Sequence, residues 1–182
     1  MNSLFPLIYT VILFFILFFI SFYLIQQVTN TQKIEKKILT LQNVVQKKNF
    51  FYQDTYRLGQ LYLRKKLFSK AIIYFRKALT TWDLNDTIGL GSLYNTIGFT
   101  YFKLKQYDFA IYYYKIAIKI LPDYILALKN IAYAYESIPL YHEAYKYYKK
   151  ILIWDPNNKL ALTQLEILSR KLRLKSKNED KY

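Results

Sequence analysis

Few residues in this sequence could perform chemistry on a substrate. The single histidine, His142, is followed by Glu143, and cysteine is absent. An imidazole beside a carboxylate could move a proton, but a general base also needs an orienting group and a nucleophile within reach. No glycine-rich phosphate loop or nucleophile elbow accompanies the pair. We therefore expect a protein that is not an enzyme, with His142 as a packing or surface residue.

The same composition limits cofactor chemistry. Zinc–thiolate sites, disulfide bonds and cysteine nucleophiles need residues that this chain lacks. One histidine is too few for most histidine-based metal sites. We expect no metal and no cofactor.

The charge of the chain points to anionic surroundings. The formal net charge is +15, which favours contact with nucleic acid or with an anionic membrane face. Glycine and proline number only four each, fewer than a β-sandwich or barrel normally needs for its turns. An all-α fold is the expectation.

An apolar segment opens the chain. Residues 4–25 read LFPLIYTVILFFILFFISFYLI, and the first charged side chain is Lys33. A helix of about 20 apolar residues crosses a bilayer core of roughly 30 Å. Tyr9 and Tyr23 lie toward the two ends, where interfacial aromatics occur. A cleaved signal peptide would have a basic start and a small-residue cleavage site, and neither is clear here. We predict a transmembrane helix over residues 4–25.

Lysines on the C-terminal side of the predicted span set its orientation. They are Lys33, Lys36, Lys37, Lys47 and Lys48. The positive-inside rule places the part of the chain beyond the span on the cytosol-like side of the membrane. Each lysine near anionic headgroups contributes roughly 1 kcal/mol of attraction, so the lipid bilayer accounts for part of the charge.

Residues 26–51 predict a basic juxtamembrane spacer helix. Ile34, Ile38, Leu41 and Val45 form one apolar stripe at helical spacing. The stripe is shorter than a coiled coil requires, although it would permit homodimerisation.

An internal repeat organises the rest. Ala110 and Ala144 are 34 residues apart, as are Tyr101 and Tyr135, and Pro122 and Pro156. An earlier copy is offset by 39 residues, which places about five extra residues around positions 85–90. The repeats span residues 52–85, 91–124 and 125–158, together 52–158. A capping helix over 159–175 and a disordered tail over 176–182 complete the prediction.

Each repeat is expected to be a helical hairpin. Small residues permit the two helices to approach, tyrosines fill the spaces between successive hairpins, and proline ends the second helix. The packing residues are Gly59, Tyr62, Ala71, Gly98, Tyr101, Ala110, Pro122, Tyr135, Ala144 and Pro156.

The pattern resembles the tetratricopeptide repeat, whose first helix carries Leu-Gly and Tyr and whose second carries Ala and an aromatic. Leu58, Gly59 and Tyr62 match it in the first copy. The chain departs from it at Ile151, where the other copies have alanine, and at Asp83, where proline is expected. The resemblance implies an α-solenoid with a concave surface for partners.

Helical phase places eight side chains toward that groove. They are Tyr56, Gln60, Arg64, Asn95, Phe99, Phe102, Lys129 and Tyr133. An aromatic and amide-rich groove suits a peptide or helix, although some of these aromatics could instead pack against a neighbouring repeat. The lysine, asparagine and arginine clamp of repeat proteins that hold chaperone tails is missing.

The chain resembles a family of membrane-anchored tetratricopeptide proteins in red-lineage plastids and cyanobacteria. The resemblance rests on the order of parts, the length and the heavy use of amino acids with AT-rich codons. That resemblance implies photosystem I assembly, with photosystem I subunits or other assembly factors as protein partners. It also implies a single-pass protein of the plastid (chloroplast) thylakoid membrane whose repeats face the stroma.

Two other functions stay open. One is a membrane-anchored docking receptor for chaperones, precursors or another membrane complex. The other is RNA binding, which the charge suggests. Helical-repeat RNA readers use one repeat per base, and three repeats fit that poorly, so no nucleic-acid partner is expected.

Overall fold

The computed structural model describes residues 4–46 and 51–179, and every regular element within them is a helix. Lys47, Lys48 and the last residues of the predicted tail, 180–182, lie outside this part. The helices are α1 (Leu4–Gln46), α2 (Tyr52–Arg64), α3 (Phe68–Leu79), α4 (Thr87–Lys103), α5 (Tyr107–Ile120), α6 (Ile125–Ser137), α7 (Tyr141–Trp154) and α8 (Lys159–Glu179).

Helix α1 belongs to a compact unit of its own, separate from α2–α8. It is 43 residues long, or about 65 Å at a rise of about 1.5 Å per residue. It joins the predicted span and most of the predicted spacer in one continuous helix. All side chains over residues 7–33 are exposed. The helix is long and apolar enough to cross a membrane.

The second unit is a stack of three antiparallel hairpins, α2–α3, α4–α5 and α6–α7. The second helix of each hairpin packs against the first helix of the next one, and α8 takes that place against α7. This is the all-α solenoid that the 34-residue period predicts. The fold prediction is confirmed.

Two glycines let the first two hairpins close. A Cβ at Gly59 would lie 2.6 Å from the ring of Phe75. A Cβ at Gly98 would lie 2.7 Å from the ring of Tyr114 and 3.1 Å from the carbonyl oxygen of Ala110. Alanines of the second helices complete these contacts, since Ala71, Ala110 and Ala144 are fully buried.

The extra residues between the first two hairpins form helix. Helix α4 has 17 residues, whereas α2 and α6 have 13 each. The side chain of Asp86 caps the added turn, because it accepts a hydrogen bond of 2.8 Å from the backbone N–H of Gly89. The insertion thus lengthens α4 by about one turn at its start.

Local sequence determines where α5 and α7 end and where α8 begins. Pro122 and Pro156 lie just beyond α5 and α7, since proline cannot continue a helix. Asn158 precedes α8 and caps it, because its side chain accepts a hydrogen bond of 3.0 Å from the N–H of Ala161. On α8, Ala161 and Leu168 are fully buried. The helix continues to Glu179, well into the segment predicted to be a disordered tail.

Candidate functional site

The first helices of the hairpins carry the predicted groove residues. On α2, Gln60 and Arg64 are exposed and available to a partner. Tyr56 is half-buried, and its ring centroid lies 5.6 Å from those of both Phe75 and Trp82. Tyr56 therefore contributes to packing in the first hairpin as well as to its surface.

On α4, Asn95 forms a polar link between hairpins. Its side chain is 5% exposed, and its Oδ1 accepts a hydrogen bond of 3.0 Å from Nδ2 of Asn130 on α6. Its own Nδ2 donates to the hydroxyl of Tyr124 over 3.5 Å. A buried amide must be hydrogen-bonded to avoid a desolvation cost. The pair holds α4 and α6 in register, which leaves Asn95 little capacity for a ligand.

An aromatic patch spans α4 and α6. The ring of Phe102 lies 5.5 Å from that of Tyr133, which is 58% exposed. Phe99 is half-buried one turn before Phe102, and the ammonium of Lys103 lies 5.0 Å from the centroid of its ring. Rings beside a lysine can bind a partner segment in which an apolar side chain packs on the rings and a neighbouring carboxylate pairs with the lysine. The structure thus brings Phe102 and Tyr133 together.

Lys129 and Glu136 complete this part of α6. Lys129 is half-buried. Glu136 accepts a hydrogen bond of 2.7 Å from the hydroxyl of Tyr148 on α7. Burial raises the pKa of Tyr148, and the bond to Glu136 raises it further. Glu136 thereby ties the groove helix of the third hairpin to its second helix.

The helical phase that predicts the groove does not place Asn130 in it. The 34-residue period aligns Asn95 with Lys129 and Asn130 with Thr96. The period therefore conceals the Asn95–Asn130 contact, and a pairing between neighbouring repeats has no signal in the alignment.

Each hairpin also contains a stacked tyrosine pair. The ring centroids lie 5.2 Å apart in the first hairpin, 5.3 Å in the second and 5.6 Å in the third. The pairs are Tyr62–Tyr74, Tyr101–Tyr113 and Tyr135–Tyr147. They lie within hairpins, whereas the sequence pattern predicts these tyrosines between successive hairpins. The signal was present, because a tyrosine comes 12 residues after each signature tyrosine.

The residues considered for catalysis lie on α7, and the described lysines proposed for membrane contact lie on α1. His142 is exposed on α7, next to Glu143, whose pKa is lowered chiefly by its hydrogen bond to Lys146. Across residues 4–46 and 51–179, no three histidine, aspartate or glutamate side chains cluster as metal ligands would. Lys33, Lys36 and Lys37 are exposed on α1.

Comparison with known proteins identifies the fold and the family. The tetratricopeptide-repeat family matches residues 92–124 and 56–81. Protein ycf37 of Guillardia theta is 39% identical over 172 residues, which cover 94% of this chain and 97% of that protein. The chain belongs to the ycf37 family. Such repeats are surfaces for protein interaction, and their fold is typical of scaffolds without catalysis.

A plant relative and a solved structure extend the comparison. The tetratricopeptide repeat domain-containing protein PYG7, chloroplastic, of Arabidopsis thaliana is 29% identical over 84% of this chain and 50% of that protein. The crystal structure of MamA has a TM-score of 0.69, covers 85% of this chain and 95% of that chain, and shares 18% identity. The latter likeness concerns the fold alone.

Proposed function

We propose that this protein is a membrane-anchored scaffold without enzymatic activity that binds photosystem I subunits or other assembly factors in its repeat groove. The observation that carries the proposal is the pairing of a ycf37-family repeat stack with a long, exposed apolar helix. By holding subunits transiently, such a scaffold would aid the assembly or stability of photosystem I.

The exposed apolar surface of α1 supports a membrane anchor. Over residues 7–33 the side chains of α1 are exposed, and most of them are apolar. A contiguous apolar surface of this size is unfavourable in water and favourable in a bilayer. We assign residues 4–25 to the span and residues 26–51 to the juxtamembrane segment, with the repeats over 52–158 and the cap over 159–175.

The lysines that follow the span support one orientation in the membrane. Lys33, Lys36 and Lys37 come after the span, and Lys47 and Lys48 add to them in the sequence. Because basic flanks stay on the cytosolic side, the repeats would face the stroma of a thylakoid membrane. The chloroplast location is supported by the plant relative, which is named as chloroplastic.

The groove supplies the binding chemistry. Gln60, Arg64 and Tyr133 are exposed and can contact a partner directly. The ring of Phe102 packs against that of Tyr133. A segment with an apolar side chain near a carboxylate would find both a ring surface and a cation there.

The test is a native affinity purification of the tagged full chain from mildly solubilised membranes, with mass spectrometry of the copurifying proteins. We expect substoichiometric photosystem I subunits or assembly intermediates. Recovery of a protein translocon, chaperones or ribosomes without photosystem subunits would overturn the proposal in favour of a docking receptor. RNase-sensitive recovery of RNA would contradict both.

A further inference from the structure

A cleft of about 410 Å³ lies outside the predicted groove, where the first hairpin meets the second. It is lined by Arg76 of α3, Tyr101 of α4, and Asp108, Phe109, Tyr112 and Tyr113 of α5. None of the eight predicted groove residues lines it. The cleft is large enough to receive one or two side chains of a partner.

Aromatic rings form its walls. The ring of Tyr101 stacks between Phe109 at 5.2 Å and Tyr113 at 5.3 Å, and Tyr112 meets Tyr113 edge-on at 5.3 Å. Phe109 is 57% exposed and Tyr112 is 59% exposed. A second cleft, of about 230 Å³, is also lined by Phe109. Large rings left exposed together mark a surface suited to an apolar ligand group.

The cleft is lined by one cation, Arg76, and one carboxylate, Asp108. In the described part of the chain, the guanidinium of Arg76 has no carboxylate within ion-pair distance. Asp108 lies in the first turn of α5, where the helix dipole stabilises its carboxylate. Arg76 is therefore the group on this cleft that would gain most from an added carboxylate.

Basic side chains outnumber acidic ones on the second helices of all three hairpins. Their exposed basic residues are Lys70, Arg76, Lys77, Lys115, Lys119, Lys146, Lys149 and Lys150. The acidic side chains of α3, α5 and α7 are only two: Asp108, which is exposed, and Glu143, which is half-buried. Such a field attracts an acidic partner and disfavours a basic one.

The other hairpins carry different side chains at the equivalent positions. Lys70 aligns with Phe109 in the first hairpin, and its ammonium lies 5.7 Å from the ring of Tyr62. In the third hairpin Glu143 and Lys146 align with Phe109 and Tyr112 and form an ion pair of 2.6 Å. The second hairpin has the rings of Phe109 and Tyr112 at these positions, and both line the cleft.

We propose that this cleft is a second docking site, for an acidic protein segment that inserts an aromatic or leucine side chain. The inserted group would pack on Phe109 and Tyr112, and a neighbouring carboxylate would pair with Arg76. A concave cleft with Asp108 on its rim fits a single inserted side chain better than a flat array of anionic lipid headgroups. The site is independent of the groove and of the groove's partner.

Model peptides test the site on the full chain in nanodiscs of neutral lipid. The probes are dye-labelled Glu-Glu-Trp-Glu-Glu, its Trp→Ala form and Lys-Lys-Trp-Lys-Lys, monitored by fluorescence anisotropy. We expect the acidic tryptophan peptide to bind at least about tenfold more tightly than either of the others, as for loss of a central aromatic anchor. Equal binding of the three peptides would overturn the proposal.

A variant taken from the chain itself provides the structural test. Phe109→Glu with Tyr112→Lys installs the ion pair that the third hairpin already carries at these positions. We expect about tenfold weaker binding of the acidic tryptophan peptide, with unchanged helicity by circular dichroism. Tyr112→Ala, a milder change at an exposed ring, should weaken binding in the same direction if the double variant does not fold.

Two controls separate the alternatives. Ile153→Ala, an exposed change on α7 that touches neither the cleft nor the groove, should leave peptide binding unchanged. Loss of peptide binding with Tyr133→Ala, and not with Phe109→Glu/Tyr112→Lys, would place the peptide in the groove and refute the cleft. Vesicles with anionic phosphatidylglycerol should bind wild type and Phe109→Glu/Tyr112→Lys equally. A vesicle affinity that depends on Phe109, without peptide binding, would assign the cleft to lipid and overturn the proposal.

Discussion

Three aromatic side chains occupy the same place in the three hairpins, and each has a different polar environment. They are Phe75, Tyr114 and Tyr148, all of them buried. The hydroxyl of Tyr148 donates to Glu136 over 2.7 Å. Tyr114 has no hydrogen-bond partner for its hydroxyl among the residues that the structure describes. The chain thus provides its own comparison of a bonded and an unbonded phenol.

Tyr148→Phe should lower the free energy of unfolding by about 1.5–3 kcal/mol, the range for a hydrogen bond to a charged group. Tyr114→Phe should have little effect, because it loses no such bond and Phe75 shows that the ring alone fits. Chemical denaturation of the solubilised chain, monitored by circular dichroism, measures both. Equal losses for the two variants would mean that the Glu136 bond adds nothing.

At this scale the packing residues were predictable and the polar contacts were not. Gly59, Gly98 and the alanines reflect a repeated need for close approach, which a period reveals. The Asn95–Asn130 pair depends on how two hairpins are rotated against each other, so it has no counterpart in the repeat pattern.

Among the elements, α4 differs from the other first helices by its added turn. Asp86 begins that turn and accepts the N–H of Gly89 at 2.8 Å. The sequence located the extra residues around positions 85–90 but did not distinguish a loop from a longer helix. The capping aspartate favours the longer helix, because it accepts a hydrogen bond from a backbone N–H of the added turn.

Removing that cap should weaken the second hairpin. Asp86→Ala leaves a helix N–H without its acceptor and should cost about 0.5–2 kcal/mol of stability. Asp86→Asn retains a cap and should stay near wild type. Thermal unfolding of the three proteins measures the difference, and an unchanged melting temperature for Asp86→Ala would contradict the assigned role.

Helix α1 is the other element with a distinct prediction. Leu17 lies in the middle of the proposed span, and an arginine there should raise the free energy of insertion by about 2.5–3.5 kcal/mol. Leu17→Arg should therefore reduce the membrane-bound fraction. Gln27→Arg, beyond the span, is the control and should leave that fraction unchanged. Alkaline carbonate extraction measures the bound fraction, and retention of both variants would argue against residues 4–25 as the span.

For the whole molecule, the tyrosine-rich interior predicts the response to alkaline pH. Burial raises the pKa of Tyr62, Tyr113, Tyr114, Tyr147 and Tyr148 above the ordinary value of 10.0. The folded state thus favours the neutral phenols, while the unfolded chain ionises near pH 10. Their contribution to stability is complete below pH 10 and is lost as the pH rises above it.

A spectrophotometric titration of the 20 tyrosines should show this directly. The buried phenols should ionise only above pH 10, together with the loss of helical signal. A single transition of all tyrosines near pH 10, with the helices intact, would contradict the burial of these phenols.

The architecture could be predicted largely from periodicity, because a 34-residue period specifies stacked hairpins before any single contact is known. The continuity of α1 could not be predicted. An apolar segment and the basic segment after it can form one helix, or the helix can end between them. The cleft at Phe109 was also missed, because it arises from a difference between repeats, and repeat alignment emphasises the features that repeats share.

We propose that the groove of this protein holds photosystem I subunits, and a quantitative purification of a groove variant tests this proposal. Gln60→Ala with Tyr133→Ala alters two exposed groove side chains, whereas Ile153→Ala alters an exposed residue of α7 and serves as the control. We predict that photosystem I subunits copurify with wild type and with the control at equal yield, and fall by about tenfold with the double variant, while all three proteins remain in the membrane. Undiminished recovery with the double variant would contradict the claim.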